Sequence, residues 1–490
     1  MLTRLKVSGF KNLVDVDVRF GAFTCIAGGN GVGKSNLFDA IKFLSALAQM
    51  PLMDAALSIR DGSGKASDIR NLFHRVGDRY VDKMSFEVEM IIPSEGINDL
   101  GQEIKTTSNS SLVKYFISLG YRKDSLRSLG QLQIIKEELY SVNSPINILS
   151  ALQNNYQNTL FSIFRQYEYD TSKLIYTEKD EEESEWIKIC LRENNCKKFR
   201  LNELSRTTLS INILLENKNA FLTRQEMISW QILQLEPSYL RASNELTALN
   251  KLGDNGSNLA SSFYYLVEKY YQIEGNNKHQ AEQIEAKVYT KASNRLAELI
   301  DDVDEIWVDR DDKRELLTLM VKDRNGTIYS ARSLSDGTLR FLALTVLELN
   351  PDSFRLLCLE EPENGIHPDR ITQILQLLQD MAVDFEEPID FNNPLRQVII
   401  NTHSPVVVQQ VPEDSLLIAD LEETVVDGKR FKKACFRYLA NTWRDVDTEN
   451  KKYNTISKGE MLSYLNPVPR QPEENRVIDR PDLQSLMPGN

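Results

Sequence analysis

The sequence has no apolar run approaching the roughly 20 residues that a membrane-spanning helix needs. Its opening stretch, MLTRLKVSGFKNL, holds no apolar segment of the kind a secretion signal uses, so the expected location is the cytoplasm. Cysteine is scarce: Cys25, Cys190, Cys196, Cys358 and Cys435 are scattered, without the close pairing of a zinc site. That usage fits a reducing compartment, and Cys25 and Cys358 fall in apolar runs where a thiol packs as a small apolar residue. Basic charge is also short. Lys and Arg number 58 against 71 Asp and Glu, a formal charge of −13, which excludes a surface that grips nucleic acid throughout. The small clusters Arg122/Lys123/Arg127 and Lys197/Lys198/Arg200 read as solvated charge. No a/d heptad persists, so no long coiled coil is expected. With 41% apolar and 26% charged residues in 490, the composition is that of an ordinary globular protein with more than one lobe.

What is present starts with residues 28–35, GGNGVGKS, which fit G-x-x-x-x-G-K-[ST]. Gly28 and Gly33 frame the loop, and Gly29 and Gly31 let consecutive N–H groups turn inward onto a phosphate. Lys34 is placed to reach β- and γ-phosphates, and the Ser35 hydroxyl to ligate Mg²⁺. Asn30, Gly31, Gly33 and Asn36 complete the expected nucleotide contacts. The flanks agree: FTCIAG (Phe23–Gly28) reads as a buried strand, and SNLFDAIKFLSALAQM (Ser35–Met50) repeats its apolar residues at helical spacing. Strand, glycine loop and helix N-terminus together make an anion site, here for ATP.

Before the loop, LTRLKVSGFKNLVDVDVRF (residues 2–20) alternates as a hairpin, and MSFEVEMII (Met84–Ile92) alternates as a further strand. Residues 96–235 carry no recognisable motif. KYFISLGYR (Lys114–Arg122) and QLQIIKEELYS (Gln131–Ser141) read as strands, residues 147–167 as a helix, and EKDEEESE (Glu178–Glu185) as an exposed charged loop. From Glu236 two amphipathic helices (Gly256–Gln272 and Gln280–Ile300) precede strands divided by a turn at Asn325–Gly326. A helix at Arg340–Leu349, a strand at Phe354–Glu363, a helix at Arg370–Met381 and a strand at Arg396–Ser404 follow. The tail 467–490, with five prolines, reads as extended or disordered. The expected organisation is an N-terminal lobe (1–95), an α+β insertion (96–235), a C-terminal lobe (236–425) and an extension with a flexible tail (426–490).

Several further motifs fall in a fixed order. LLCLEEPE resembles a Walker B strand, with Glu360 holding Mg²⁺ and Glu361 as general base for water. SLSDGTLR (Ser333–Arg340) resembles the ABC signature LSGGQ, with Ser335 and Gly337 at the nucleotide. NGIHPDR (Asn364–Arg370) resembles a D-loop, and NTHS (Asn401–Ser404) a switch-histidine motif, so that two of the four histidines, His367 and His403, lie in motifs. About 300 residues separate P-loop from signature, far more than in a compact transporter ATPase. With KVSGFKNL at the start, the chain resembles the RecF/SMC/OLD branch of ABC ATPases over about residues 1–95 and 236–420.

That resemblance implies an α/β fold, an ABC-type P-loop ATPase with a mixed sheet, an antiparallel β-subdomain and an inserted α+β region. It implies a head-to-tail homodimer or higher oligomer that binds ATP and Mg²⁺, with Lys34, Glu361 and His403 catalytic and His403 sensing the γ-phosphate. Two positions depart from the pattern: Glu360 replaces the usual Asp, which lengthens the arm but keeps the oxygen ligand, and Asp336 replaces a signature glycine. Slow turnover follows, and no Q-loop glutamine is evident. OLD proteins add a Toprim nuclease with a DxD strand end. After His403, where such a domain would follow, only Asp445–Asp447 matches DxD, after Trp443–Arg444 and without an apolar strand, so no nuclease is expected in the chain. A lone ATPase of this shape resembles the PtuA-type subunits of Septu and retron anti-phage systems, which implies a separate HNH nuclease, or a Toprim effector as in PARIS systems. Retron RNA–DNA could join such a complex. The alternative is a RecF-like repair ATPase that binds DNA directly; no membrane partner is implied.

Overall fold

The computed structural model describes residues 1–59, 68–93, 95–97, 101–105, 111–123, 130–142, 171–179, 186–191, 196–201, 203–211, 217–274, 278–298, 303–390, 392–426, 428–446 and 455–465. The helix expected at 147–167, residues 180–185 of the charged block, Arg127 and the proline-rich tail lie outside them.

The opening hairpin forms as its alternation dictates, from β1 (Leu2–Ser8) and β2 (Val16–Arg19). It leads into β3 (Phe23–Ala27), buried along its whole length, and then into α1 (Lys34–Leu47). The strands β4 (Lys83–Ile91), β5 (Leu112–Arg122), β6 (Gln131–Val142), β7 (Thr171–Lys179), β8 (Trp186–Leu191) and β9 (Cys196–Arg200) then pair in succession. They make one antiparallel sheet of eight strands in the order β9-β8-β7-β6-β5-β4-β1-β2. Its solvent face carries a lattice of opposite charges in which Arg4 pairs with Asp17 and Glu89, and Lys6 and Lys114 both pair with Glu87. Burial alone would raise the Asp17 carboxyl, and the Arg4 fork overrides it and holds it below its ordinary range.

After α2 (Lys218–Ile228), β10 (Trp230–Leu233) starts the second sheet, and the paired helices α3 (Leu259–Glu274) and α4 (Lys278–Ala297) follow. A small antiparallel sheet of β11 (Val303–Asp311), β12 (Leu316–Asp323) and β13 (Ile328–Ser330) packs on them. Then come α5 (Asp336–Leu349), β14 (Leu356–Glu360), α6 (Ile371–Asp380), β15 (Gln397–Thr402), β16 (Leu416–Val426), β17 (Lys429–Leu439), β18 (Thr455–Ile456) and α7 (Lys458–Leu465). The second sheet has the order β10-β14-β15-β3-β16-β17-β18. Its first five strands are parallel, and β17 runs against β16. The expected mixed sheet and antiparallel β-region are both present, and no long coiled coil occurs among the described residues. No helix among them is long and apolar enough to cross a membrane.

Apolar residues on both sides of the parallel strands explain this layering. Ile26, Cys358 and Ile399 face one core, shared with α1 and the antiparallel sheet. Their neighbours Cys25, Leu357, Leu359, Val398 and Ile400 face the other, shared with α3 to α6. A parallel sheet covered on both faces leaves only its strand ends open to a ligand. The antiparallel sheet runs unbroken across position 95 through the β4–β5 pairing, and the β16–β17 hairpin spans position 425.

Two details differ from the sequence reading. The strand expected after the Asn325–Gly326 turn stops at Ser330, because Ala331–Ser333 form a 3₁₀ turn that delivers Ser335 to the start of α5. Cys190 and Cys196 form a disulfide, since the β8–β9 register sets them directly opposite each other. Disulfides are rare in the cytosol, so cysteine usage no longer supports the cytoplasmic expectation.

One buried acid ties the antiparallel sheet to the segment that leads into α2. Glu137 on β6 is fully buried and accepts from the backbone N–H groups of Thr208 and Leu209 at 2.7 and 3.1 Å and from the Tyr115 hydroxyl at 3.0 Å. Glu137→Ala leaves those donors buried without an acceptor, for an expected loss of about 3–5 kcal/mol in urea unfolding. An unfolding midpoint equal to that of the parent would remove Glu137 from the account of this contact.

Candidate functional site

The phosphate loop sits where β3, β14 and β15 end together. Ala27 is registered with Thr402, and Glu360 with Asn401, so the loop, Glu360, Glu361 and His403 share one edge. Gly33 explains one glycine of the motif. Its φ is +113°, and a Cβ there would lie 2.8 Å from the Ala434 methyl and 2.9 Å from the Asn12 side chain. The clash partner Ala434 belongs to β17, so the C-terminal hairpin helps to shape the loop.

Lys34 is buried, and its ammonium donates to the carbonyls of Gly28 and Gly29 at 2.6 and 2.7 Å. Burial pushes it below the ordinary lysine range, against the opposing pull of Glu361, Glu363 and Glu360. Asn30 and Gly31 are exposed at the loop tip, and Ser35 is half-buried at the start of α1. Asn36, expected at the nucleotide, donates its amide to Asn12 Oδ1 at 2.8 Å. The neighbouring Lys11 pairs with Asp39 of α1 at 2.7 Å. The KVSGFKNL segment therefore buttresses the phosphate helix from the side.

Glu361 sits in a left-handed backbone conformation, φ +45°, which a non-glycine residue adopts only under constraint. The constraint is Asn401, whose backbone carbonyl and side-chain oxygen both accept from the Glu361 N–H, at 3.0 and 3.1 Å. The turn aims the carboxylate out of the sheet. Its Oε1 meets His403 Nδ1 at 2.9 Å and its Oε2 accepts from Asn364 Nδ2 at 2.6 Å. A carboxylate gripped on both oxygens at a strand end is suited to orient water and take its proton.

Behind it lies a second acid that the sequence reading left out. Glu363 is buried; Oε1 accepts from the Thr402 hydroxyl, and Oε2 is buried without a hydrogen-bond partner among the described residues. Burial raises its carboxyl, with Thr402 and His403 acting in the opposite direction. Arg340 on α5 is the nearby cation: burial lowers it, while Asp336, Glu363 and Glu361 hold it charged. Both residues stood inside quoted motifs, but a string of letters does not say which side chains turn inward. Tyr464 of α7 was missed altogether. Its hydroxyl is buried beside the Gly28 backbone, and burial pushes it up to about 12.

The signature turn also forms. Ser335 caps α5, its oxygen accepting from the Thr338 N–H at 3.2 Å. Gly337 is buried against the D-loop, where a Cβ would lie 2.9 Å from the Gly365 carbonyl and 3.0 Å from Ile366. Signature and D-loop are thus in direct contact within one chain. His367 is exposed in that loop, with Nδ1 accepting from the Asp369 N–H at 3.4 Å. The sheet edge unites Lys34, Glu360, Glu361 and His403, while Ser335 and Gly337 stand on the neighbouring turn.

Among the described residues no cluster of three or more His, Cys, Asp or Glu side chains could hold a metal by itself. The hydroxyl of Ser35 and the carboxylate of Glu360 are hard oxygen donors of the kind Mg²⁺ takes, with phosphate oxygens and water to complete the shell. The residues fit that ion.

The chain matches the family described as "AAA domain, putative AbiEii toxin, Type IV TA system" over residues 23–96 and 224–409, which is more than half its length. It is 33% identical over 96 residues to the DNA replication and repair protein RecF of Bacteroides thetaiotaomicron, a stretch covering 19% of this chain and 22% of that relative. A solved SMC head bound to the C-winged helix domain of ScpA aligns at a TM-score of 0.45 and 13% identity over 88% of this chain and 97% of that one. The SMC head domain from Thermotoga maritima aligns at 0.37 and 11% over 89% and 98%.

Proposed function

Because the chain belongs to this AAA domain family, we propose that it is an ATPase that works as a head-to-tail dimer to control a separate nuclease in anti-phage defence. The observation that carries the ATPase reading is Glu361, held by His403 and Asn364 on the same sheet edge as the buried Lys34. Lys34 and the loop amides hold the triphosphate. Ser35 and Glu360 would hold Mg²⁺, which when bound would supply positive charge against the phosphates. Glu361 takes the proton of the attacking water, and His403, tied to the same carboxylate, faces the γ-phosphate. Ser335 and Gly337 of the partner subunit close the site, and an isologous dimer completes two such sites at once. Presence or loss of the γ-phosphate then decides whether the two chains stay joined.

What the fold offers besides that site supports the regulatory reading. The family match breaks off at residue 96 and resumes at 224, and the strands between extend the antiparallel sheet. A partner nuclease can be read out there. Purifying the tagged protein at native abundance, with mass spectrometry of what accompanies it, tests this reading. A stoichiometric HNH or Toprim nuclease supports it, and recovery of the chain with repair proteins overturns it.

A second reading, direct DNA binding in the manner of a repair ATPase, has one specific observation in its favour. Arg70 lies over the rings of Tyr80 and Tyr121 at 5.6 and 5.9 Å, and Arg75 over Tyr80 at 5.4 Å, on an exposed part of the antiparallel lobe. Asp68 and Asp78 pair with the two arginines, and the net charge is −13, so the first reading is preferred. Under that reading, duplex DNA binding is weak and falls little between 50 and 200 mM salt. A loss on the order of 10³-fold across that range would establish phosphate binding and the second reading.

A further inference from the structure

Asp336 is the departure from the signature pattern that the structure explains. It is the first residue of α5, where a carboxylate suits the helix dipole. In a turn that receives a triphosphate, the same charge repels the ligand. Arg241 meets this acid from 95 positions away in the chain. Its Nη2 donates to the Asp336 carboxylate and to the carbonyl of Leu334 at 3.0 Å. One bond cancels the charge, and the other fixes the backbone just before Ser335.

Arg241 is launched from a firm base. It ends the short helical turn Pro237–Leu240, with its N–H bonded to the Pro237 carbonyl at 3.1 Å. Leu240 beside it is buried, and packs so closely on Gly256 that a Cβ there would come within 2.7 Å of it. Arg340, one turn along α5 from Asp336, is a second cation in reach, but it also serves Glu361 and the buried Glu363. Asp336 is half exposed, which leaves the Arg241 pair at the surface a second subunit would meet.

We propose that Arg241 is a positioning residue of the ATP site. It neutralises Asp336 and holds the Leu334–Ser335 backbone, so that the signature turn can accept the γ-phosphate bound to a second copy of the chain. This rests on the head-to-tail reading above. Because Arg241 acts through Asp336, its loss is repaired by removing the charge it cancels.

The test compares Arg241→Ala, the double variant Arg241→Ala/Asp336→Asn and Ser335→Arg in the full chain. Phosphate release, ATP-driven dimer formation, ATP affinity of separate subunits at low protein concentration, and melting temperature are read for each. Arg241→Ala is expected to lower hydrolysis and dimer formation by about 10- to 100-fold, at unaltered subunit affinity and melting temperature. The double variant is expected to regain at least about tenfold of that loss. A double variant as slow as Arg241→Ala overturns the proposal, because cancelling the Asp336 charge would then not be what Arg241 supplies. An Arg241→Ala protein as active as the parent overturns it too. Ser335→Arg separates the two levels of inference. If it leaves dimer and hydrolysis intact, the head-to-tail reading fails and this proposal falls with it; if it abolishes both while Arg241→Ala is silent, only the role of Arg241 fails.

Discussion

Replacing Glu361 with Gln is expected to lower ATP hydrolysis by about 10²- to 10³-fold while ATP still binds and holds two chains together. The substitution keeps the shape of the side chain and removes its ability to take a proton. Its surroundings make the effect large. The carboxylate is gripped by His403 on one oxygen and Asn364 on the other, and the Asn401 bonds fix the turn beneath it. An amide in that position turns its NH₂ toward one of two groups arranged for an acceptor, so it can neither take the proton nor orient water as the acid does. Steady-state phosphate release and light scattering in the presence of ATP measure the two consequences. A Glu361→Gln protein with parental turnover would remove Glu361 as general base and with it the reading of this edge as a hydrolytic site.

Lys34→Ala should abolish measurable ATP binding, with affinity down by about 10²-fold or more in titration calorimetry. The ammonium is the buried cation among Glu360, Glu361 and Glu363 on this edge, and its neighbours are loop carbonyls that give phosphate nothing to hold. Without it, a triphosphate would face three carboxylates with only backbone N–H groups in support. Stability should change much less, because losing the hydrogen bonds to Gly28 and Gly29 is offset by removing a buried charge that burial disfavours. Retained affinity would place the nucleotide elsewhere. A collapse of the fold would show in the melting temperature and mark Lys34 as structural.

The motifs were legible because each encodes a local backbone event. GGNGVGKS specifies a left-handed turn at Gly33 between a buried strand and a helix start, and LLCLEEPE an apolar strand that must end at its acids. The antiparallel strands at Lys114–Arg122 and Gln131–Ser141 were readable from alternation in the same way. Less legible were contacts whose partners lie far apart in the chain. Nothing in the letters of Asn36 shows that it turns to Asn12, nor that Glu363 and Arg340 point inward. Cys190 and Cys196 looked unrelated until the β8–β9 register set them opposite each other.

By itself, the sequence determined the strand–glycine loop–helix turn, the apolar strand that ends at Glu360, and the order in which the motifs occur, since spacing along one strand or helix is enough to fix such local geometry. Tertiary structure alone decided which strands lie side by side. It placed β3 between β15 and β16, ran the inserted strands into the first sheet, and packed the β17 hairpin against Gly33. It also brought Arg241 to Asp336. These pairings depend on which buried faces find each other once the whole chain has collapsed, and that free energy belongs to no single segment.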